Sequence, residues 1–290
     1  PHLFITQTAN PKWKDITDAL KKGQTAFDRP DIVGRVFKGR KQKLLEELHS
    51  GSIFGKCVAR THCIEFQKRG LPHVHILIWL KIDRHFNPST IDEIICAEIP
   101  NPKIDNVPDE NNPEEFKEVD NPLYKKVTTS MLHGPCGTHN PTRSCMCDGC
   151  CKYNYPKDYV QATELSEDGF PRYRRRNPAL NDKVSFSYEV HRNKKLYKYT
   201  SKDVIPYSKY LMQRFNCHIN VEYCHSINAI KYLFGYIYKG CDQATVEVKA
   251  GPDWTGTVQV QNEVLEYKTK RYVSSAEGCW RLRANEVAER

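Results

Sequence analysis

The sequence predicts an α+β fold in which an antiparallel sheet is flanked by helices, and three observations support this class. Residues 53–68 and 73–80 both carry the patterning of strands, and turn-forming residues join them at 69–72. Residues 39–49 place Leu44, Leu45 and Leu48 on one side of a helix. A cysteine-rich stretch at 130–160 interrupts the other elements and indicates an inserted metal site.

Local patterning predicts the following elements along the chain. Residues 1–6 form an apolar strand that ends in a polar turn, and the helix at 39–49 and the strand hairpin at 53–80 follow. Ser89 and Thr90 are capping residues for a helix over 88–99. The remaining predicted elements are an exposed polar insertion at 100–122, strands near 183–190 and 216–222, and a helix over 228–239.

These elements divide the chain into four parts. They are the N-terminal part of the main domain with the strand hairpin (1–99), a polar insertion (100–129), a Cys/His-rich segment (130–160) and the C-terminal part of the main domain (161–290).

Composition excludes several classes of protein. The longest apolar stretch, 76–80, is far shorter than the roughly 20 residues that cross a bilayer, and the N-terminus lacks the layout of a signal peptide. The net charge of +9, from 44 basic and 35 acidic residues, favours a polyanionic partner without identifying it.

Five of the twelve cysteines lie between Cys136 and Cys151, beside His133 and His139. A secreted disulfide framework usually spreads its cysteines through a small domain, which this chain is not. Clustered cysteines with interleaved histidines indicate a metal site in a reducing compartment, and unliganded reduced cysteines are the alternative.

The sequence His73-Val74-His75 begins the second strand of the hairpin. Because side chains alternate along a strand, both imidazoles project from one face and can hold a divalent cation with positions open for substrate oxygens. The preceding strand places Glu65 and Gln67 together on one of its faces, so either oxygen donor can complete a three-ligand site.

A tyrosine-bearing helix is predicted over residues 228–239. At 100° per residue, Leu233, Phe234 and Ile237 form one apolar stripe, and Tyr232, Tyr236 and Lys239 lie on the opposite face. The tyrosines either pack against another element or serve as nucleophiles that face a phosphate, and Tyr238 lies off that face.

Together these features resemble the HUH endonuclease pattern, and in more detail the Rep domain of Helitron transposases. The resemblance extends over nearly the whole chain through blocks in the same order, namely PHLFITQTANPKW, EFQKRGLPHVHILIWL, HGPCGTHNP with CMCDGCCKYNYPKDY, NVEYCHSINAIKYLFGYIYKGCD and RYVSSAEGCWRL. It implies an HUH-like antiparallel sheet carrying a zinc-binding insertion.

The resemblance also implies an activity, which is metal-dependent nicking and joining of single-stranded DNA at transposon ends. His73 and His75 match the HUH histidines, with Gln67 favoured over Glu65 as the third ligand of Mg²⁺ or Mn²⁺. Tyr232 and Tyr236 match the two nucleophiles that form a 5′-phosphotyrosine, with Lys239 beside them.

A structural zinc site is implied at His133, Cys136, Cys145 and Cys151, and Cys147 and Cys150 are additional to the family pattern. The run Arg172, Tyr173, Arg174, Arg175 and Arg176 is either a DNA-contacting surface or a solvated charged face.

The family normally carries a helicase domain C-terminal to this region and acts in the nucleus. No G-x-x-x-x-G-K-[ST] motif occurs here, so we expect the helicase to lie in a longer protein of which this chain is a part. The alternative function is a non-catalytic zinc-containing DNA-binding module derived from a transposon.

Overall fold

The core of the fold is a five-stranded antiparallel sheet. The computed structural model describes residues 1–66, 70–81, 86–108, 116–165, 170–180, 184–192, 195–224 and 273–289. The sheet has the strand order β5–β1–β3–β2–β6. Its strands are β1 (Leu3–Thr8), β2 (Cys57–Phe66), β3 (Pro72–Leu80), β5 (Ile219–Tyr223) and β6 (Ala288–Glu289); β4 names the separate strand Lys103–Pro108.

Six α-helices lie in the described part of the chain. They are α1 (Lys14–Thr17), α2 (Pro30–Ser50), α3 (Pro88–Ile94), α4 (Pro122–Ser130), α5 (Lys209–Phe215) and α6 (Ser275–Leu282).

Four further two-stranded ribbons lie outside the central sheet. They pair β4 with Phe116–Asp120, Met146–Cys147 with Cys150–Cys151, Glu164–Leu165 with Pro171–Arg172, and Tyr188–Arg192 with Lys195–Tyr199.

The two faces of the sheet differ in chemistry because of the register of β1 and β3. Ile5 lies opposite Ile76, and both are fully buried on the core face. Thr6 lies opposite His75 and Thr8 opposite His73, so the other face carries polar side chains. A shift of one residue in this pairing would exchange the two sets.

Helices α2 and α6 pack together beside β2. The indole of Trp280 on α6 is buried against the rings of Phe37 and Phe66, with centroid distances of 6.1 and 6.2 Å. A Cβ at position 34 would lie 3.8 Å from the Trp280 ring, which is an ordinary van der Waals contact, so this packing does not require the glycine.

The predicted strands and helices that fall within the described residues agree with the structure in kind and differ at their ends, whereas the predicted polar insertion at 100–122 contains the paired strands Lys103–Pro108 and Phe116–Asp120. The antiparallel hairpin of β2 and β3 is confirmed, and helix α2 extends well beyond the predicted 39–49. Gly34 and Gly39 weaken the helical pattern of its first half, but Pro30 begins the helix and burial of Phe37 stabilises it.

Helix α3 ends at Ile94 instead of residue 99, because Cys96 forms a β-bridge with Tyr207. The predicted helix over 228–239 lies outside the described residues. None of the helices in the described ranges is long and apolar enough to cross a membrane.

Candidate metal centres and nucleic-acid contacts

The polar face of the sheet brings Glu65, His73 and His75 together. Glu65 on β2 lies directly opposite His73 on β3, and His75 follows two residues along the same face. One carboxylate oxygen of Glu65 lies 3.1 Å from His73 Nε2 and 3.5 Å from His75 Nε2. One ligand atom from each of the three residues lies within 4.8 Å of the others.

This donor set fits a divalent cation. Glu65 Oε1 and His73 Nδ1 are buried and have no hydrogen-bond partner among the described residues. Burial alone would raise the pKa of Glu65, but hydrogen bonds from His73 and His75 bring it down to about 2. Burial lowers the pKa of His75, which favours the neutral imidazole that binds metals.

Two neighbours on β1 hold His75 in place. The hydroxyl of Thr6 lies 2.9 Å from His75 Nδ1, and the ring of Phe4 stacks on the imidazole with a centroid distance of 5.4 Å. In one neutral tautomer the Thr6 hydroxyl donates to Nδ1 and Nε2–H faces Glu65. In the other tautomer Nδ1–H donates to Thr6, and Nε2 then carries the lone pair that can bind a cation. Sequence patterning did not identify either residue, because the pairing of β1 with β3 cannot be read from local spacing.

The sequence offers two candidates for the third ligand, Glu65 and Gln67. The structure brings Glu65 to both histidines. Gln67, which the resemblance favoured, lies outside the described residues, as do Tyr232, Tyr236, Tyr238 and Lys239.

The Cys/His-rich segment forms a second cluster, and it contains the four residues predicted for zinc. The ligand atoms of His133, Cys136, Cys145 and Cys151 all lie within 4.8 Å of one another. Three cysteines and one histidine at this spacing could hold a metal such as zinc. Cys147 and Cys150 are exposed and lie outside the cluster.

The electrostatics of this cluster also fit a cation. Burial, then the neighbouring thiols of Cys151 and Cys145, raise the pKa of Cys136 to about 12. Burial would also raise the pKa of Cys151, but backbone N–H groups of Tyr155 and Tyr153 outweigh it and the pKa falls below its usual value. Cys151 therefore ionises more readily than a free thiol, and a bound dication would also stabilise Cys136 as a thiolate.

The histidine of the cluster is held between two aromatic rings. Tyr155 stacks on His133 with a centroid distance of 4.2 Å, and Tyr153 meets it edge-on at 5.9 Å. Burial, together with the charges of Arg143 and Lys157, lowers the pKa of His133 to about 4. The imidazole is therefore neutral at physiological pH and able to bind a metal.

The arginine run does not form the surface that its sequence indicated. Tyr173 and Arg175 are buried, and Arg175 donates to the backbone carbonyls of Ala97 and Val204 at 3.3 and 2.7 Å. The Tyr173 hydroxyl accepts from the backbone N–H of Tyr223 at 2.8 Å. The prediction that these two side chains contact DNA is corrected by their burial.

The other three arginines of the run are ion-paired. Arg176 makes a bidentate contact with Glu98, and Arg174 pairs with Asp92 at 3.3 Å. Arg172 is half-exposed and pairs with Glu164 at 3.0 Å. A DNA contact by Arg172, Arg174 or Arg176 stays a prediction.

Comparison with known families gives a match to part of the chain. Residues 1–78 match the model of the family described as the Helitron helicase-like domain at N-terminus. The matched residues carry β1, β2 and most of β3, including Glu65, His73 and His75. No curated protein matches the chain. The N-terminal part of the chain, with its candidate metal centre, is therefore related to the Helitron family.

Proposed function

We propose that this chain is the HUH-type nuclease (Rep) domain of a Helitron-like rolling-circle transposase, which nicks and joins single-stranded DNA at transposon ends. The observation that carries the proposal is the cluster of Glu65, His73 and His75 on the polar face of the sheet. The match of residues 1–78 to a Helitron family supports the transposase context.

The three residues would hold Mg²⁺ or Mn²⁺. When bound there, such a cation polarises the scissile phosphate and neutralises charge on it. Glu65 supplies the carboxylate and the two histidines supply neutral imidazoles. Thr6 keeps His75 in the orientation that presents Nε2.

The proposed reaction is a transesterification at phosphorus. The phenolic oxygen of Tyr232 or Tyr236 attacks the phosphorus and forms a phosphotyrosine with the 5′ end, and the bond from phosphorus to the 3′ oxygen breaks. The phenolic proton is lost and the leaving 3′ oxygen gains one, so a 3′-OH is released. Because the phosphotyrosine retains the energy of the broken bond, rejoining needs no ATP.

The decisive test is covalent capture of DNA. Incubation with an end-bearing single-stranded oligonucleotide and Mn²⁺ should give a protein–DNA adduct that mass spectrometry maps to Tyr232 or Tyr236. The double variant Tyr232→Phe/Tyr236→Phe should form no adduct, and Tyr238→Phe should form it almost normally. An adduct mapped to Tyr238 would overturn the assignment, and a mobility shift without any adduct would favour the non-catalytic DNA-binding module.

A second test concerns the metal ligands. His73→Ala or His75→Ala should abolish cleavage and leave DNA binding largely intact, because phosphate contacts elsewhere provide affinity. Glu65→Ala should reduce Mn²⁺ affinity more than Gln67→Ala, since Glu65 lies beside both histidines. The reverse order would assign the third ligand to Gln67.

The context of the activity follows from the same family relation. We infer that the domain acts in the nucleus, within a longer protein whose C-terminal helicase separates the strands. The Cys/His cluster would hold a structural zinc ion, because its four protein ligands fill a tetrahedral site.

A further inference from the structure

Three lysines beside the Cys/His cluster each lie over a tyrosine ring. The Nζ atoms of Lys152, Lys157 and Lys202 lie 5.0, 5.1 and 5.2 Å from the ring centroids of Tyr153, Tyr155 and Tyr159, respectively. We name these six residues the tyrosine–lysine face. None of the three lysines has a carboxylate within 4.0 Å in the part of the chain that the structure describes.

Backbone hydrogen bonds join the parts of this face. The N–H of Lys157 donates to the carbonyl of Lys202 at 2.9 Å, and the N–H of Lys152 donates to the carbonyl of Cys145 at 2.8 Å. The N–H of His133 donates to the carbonyl of Asp203, next to Lys202, at 2.8 Å. The backbone of two cluster ligands, Cys145 and His133, is therefore hydrogen-bonded to the backbone of Lys152 and of Asp203, the residue after Lys202.

The face differs from the arginine run in its available charge. Arg172, Arg174 and Arg176 are neutralised by carboxylates, and Arg175 is buried. The acidic residue within the segment of the face, Asp158, lies 3.5 Å from Arg172 and so belongs to that ion-paired group. Lys157 is half-buried near Arg175 and Glu222, so the positive charge left available to an external anion is mainly that of Lys152 and Lys202.

The face also offers aromatic surface. Tyr153 is 43% exposed, and its neighbour Lys152 is exposed as well. Alternating cations and aromatic rings are the chemistry that binds single-stranded nucleic acid, because phosphates pair with the cations and unpaired bases stack on the rings.

We propose that the tyrosine–lysine face binds single-stranded DNA, with phosphates on Lys152, Lys157 and Lys202 and a base on Tyr153. It is a contact separate from the Glu65, His73 and His75 centre. The choice of DNA as the nucleic acid rests on the proposed function, whereas the preference for an unpaired strand rests on the exposed tyrosine.

The test measures binding of the full chain to a fluorescein-labelled oligothymidine over a series of salt concentrations, without added Mg²⁺ or Mn²⁺. The plot of log K against log salt has a negative slope, and each lost phosphate contact on a single strand reduces the magnitude of that slope by about 0.7. Lys152→Gln/Lys202→Gln should therefore reduce the slope by about 1.4. Tyr153→Ala should weaken binding about tenfold with an unchanged slope, and Tyr153→Phe should restore binding.

The matched control is Lys103→Gln/Lys198→Gln, which removes the same charge from two ion-paired lysines. This control should change the slope by less than half of the change expected for Lys152→Gln/Lys202→Gln. Zinc content and melting temperature equal to those of the wild type would show that each variant is folded.

Two results would overturn the proposal, namely an equal loss of slope in the control or equal competition by duplex DNA. A result that contradicts the proposed nuclease activity can be distinguished from one that contradicts this binding site. In that case no covalent adduct would form, while oligothymidine binding would still depend on Lys152, Lys202 and Tyr153.

Discussion

At the scale of single residues, the candidate metal centre depends on how each ligand is oriented. Glu65 places one oxygen near both histidines and leaves the other buried without a partner among the described residues. His75 is fixed by the hydroxyl of Thr6 at Nδ1 and by the ring of Phe4. Because only the correct tautomer offers Nε2 as a ligand, the hydroxyl of Thr6 should contribute to metal affinity.

Replacing Thr6 with valine tests this role. Thr6→Val removes the partner of His75 Nδ1 and should weaken Mn²⁺ binding about tenfold, as measured by electron paramagnetic resonance of free Mn²⁺. Thr6→Ser should restore affinity, and ¹⁵N shifts of the His75 ring should show the change of tautomer. Thr8→Val is the control, since Thr8 lies opposite His73 and its hydroxyl makes no hydrogen bond in the described ranges. Equal losses in Thr6→Val and Thr8→Val would contradict the role.

At the scale of elements, the Cys/His segment is held together by its cluster more than by a core. Its ribbon has strands of two residues each, Met146–Cys147 and Cys150–Cys151. Such short strands bury little apolar surface, so a bound metal should supply much of the stability of this segment.

Zinc removal tests this dependence. The purified protein should contain about one zinc ion per chain, and Cys136→Ser should lose it and lower the melting temperature. At a free zinc concentration about 100 times Kd, binding stabilises the folded state by about 2.7 kcal/mol. Cys147→Ser should keep both the zinc and the melting temperature, because Cys147 is exposed and lies outside the cluster. A zinc-free protein of unchanged stability would refute the site.

At the scale of the whole molecule, the central sheet depends on residues far apart in the chain. Strand β6 near the end of the chain pairs with β2, and α6 buries Trp280 against α2 and β2. The C-terminal segment therefore pairs with the outer edge of β2 and packs against it, and β2 forms the hairpin with the strand that bears the histidines.

Truncation of the Trp280 side chain tests that support. Trp280→Ala removes a fully buried indole and should lower the free energy of unfolding by about 3–5 kcal/mol, measured by urea denaturation. Leu282→Ala on the same helix should have an effect within about 0.5 kcal/mol, since Leu282 is 88% exposed. Similar losses in the two variants would show that burial of the Trp280 indole does not account for the effect.

Local chemistry predicted part of the site and could not predict the rest. Period-two alternation was sufficient to place His73 and His75 on one face, and the turn between the strands was sufficient to predict the hairpin. Arg175 is buried against the carbonyl of Ala97, and Arg176 pairs with Glu98. Each of these contacts joins residues that lie 78 positions apart in the sequence. A run of arginines indicates charge, but only tertiary structure shows which charges are neutralised.

The order of the strands has a consequence for synthesis on the ribosome. Strand β1 is flanked in the sheet by β3 and by β5, and β5 begins about 140 residues after β3 ends. At roughly 5–20 residues per second, the hydrogen-bonding edge of β1 is without its partner for about 7–28 s. A nascent chain in that state offers an unpaired strand to other chains, so expression of the N-terminal fragment alone should favour aggregation, and slower translation should increase the demand for chaperones.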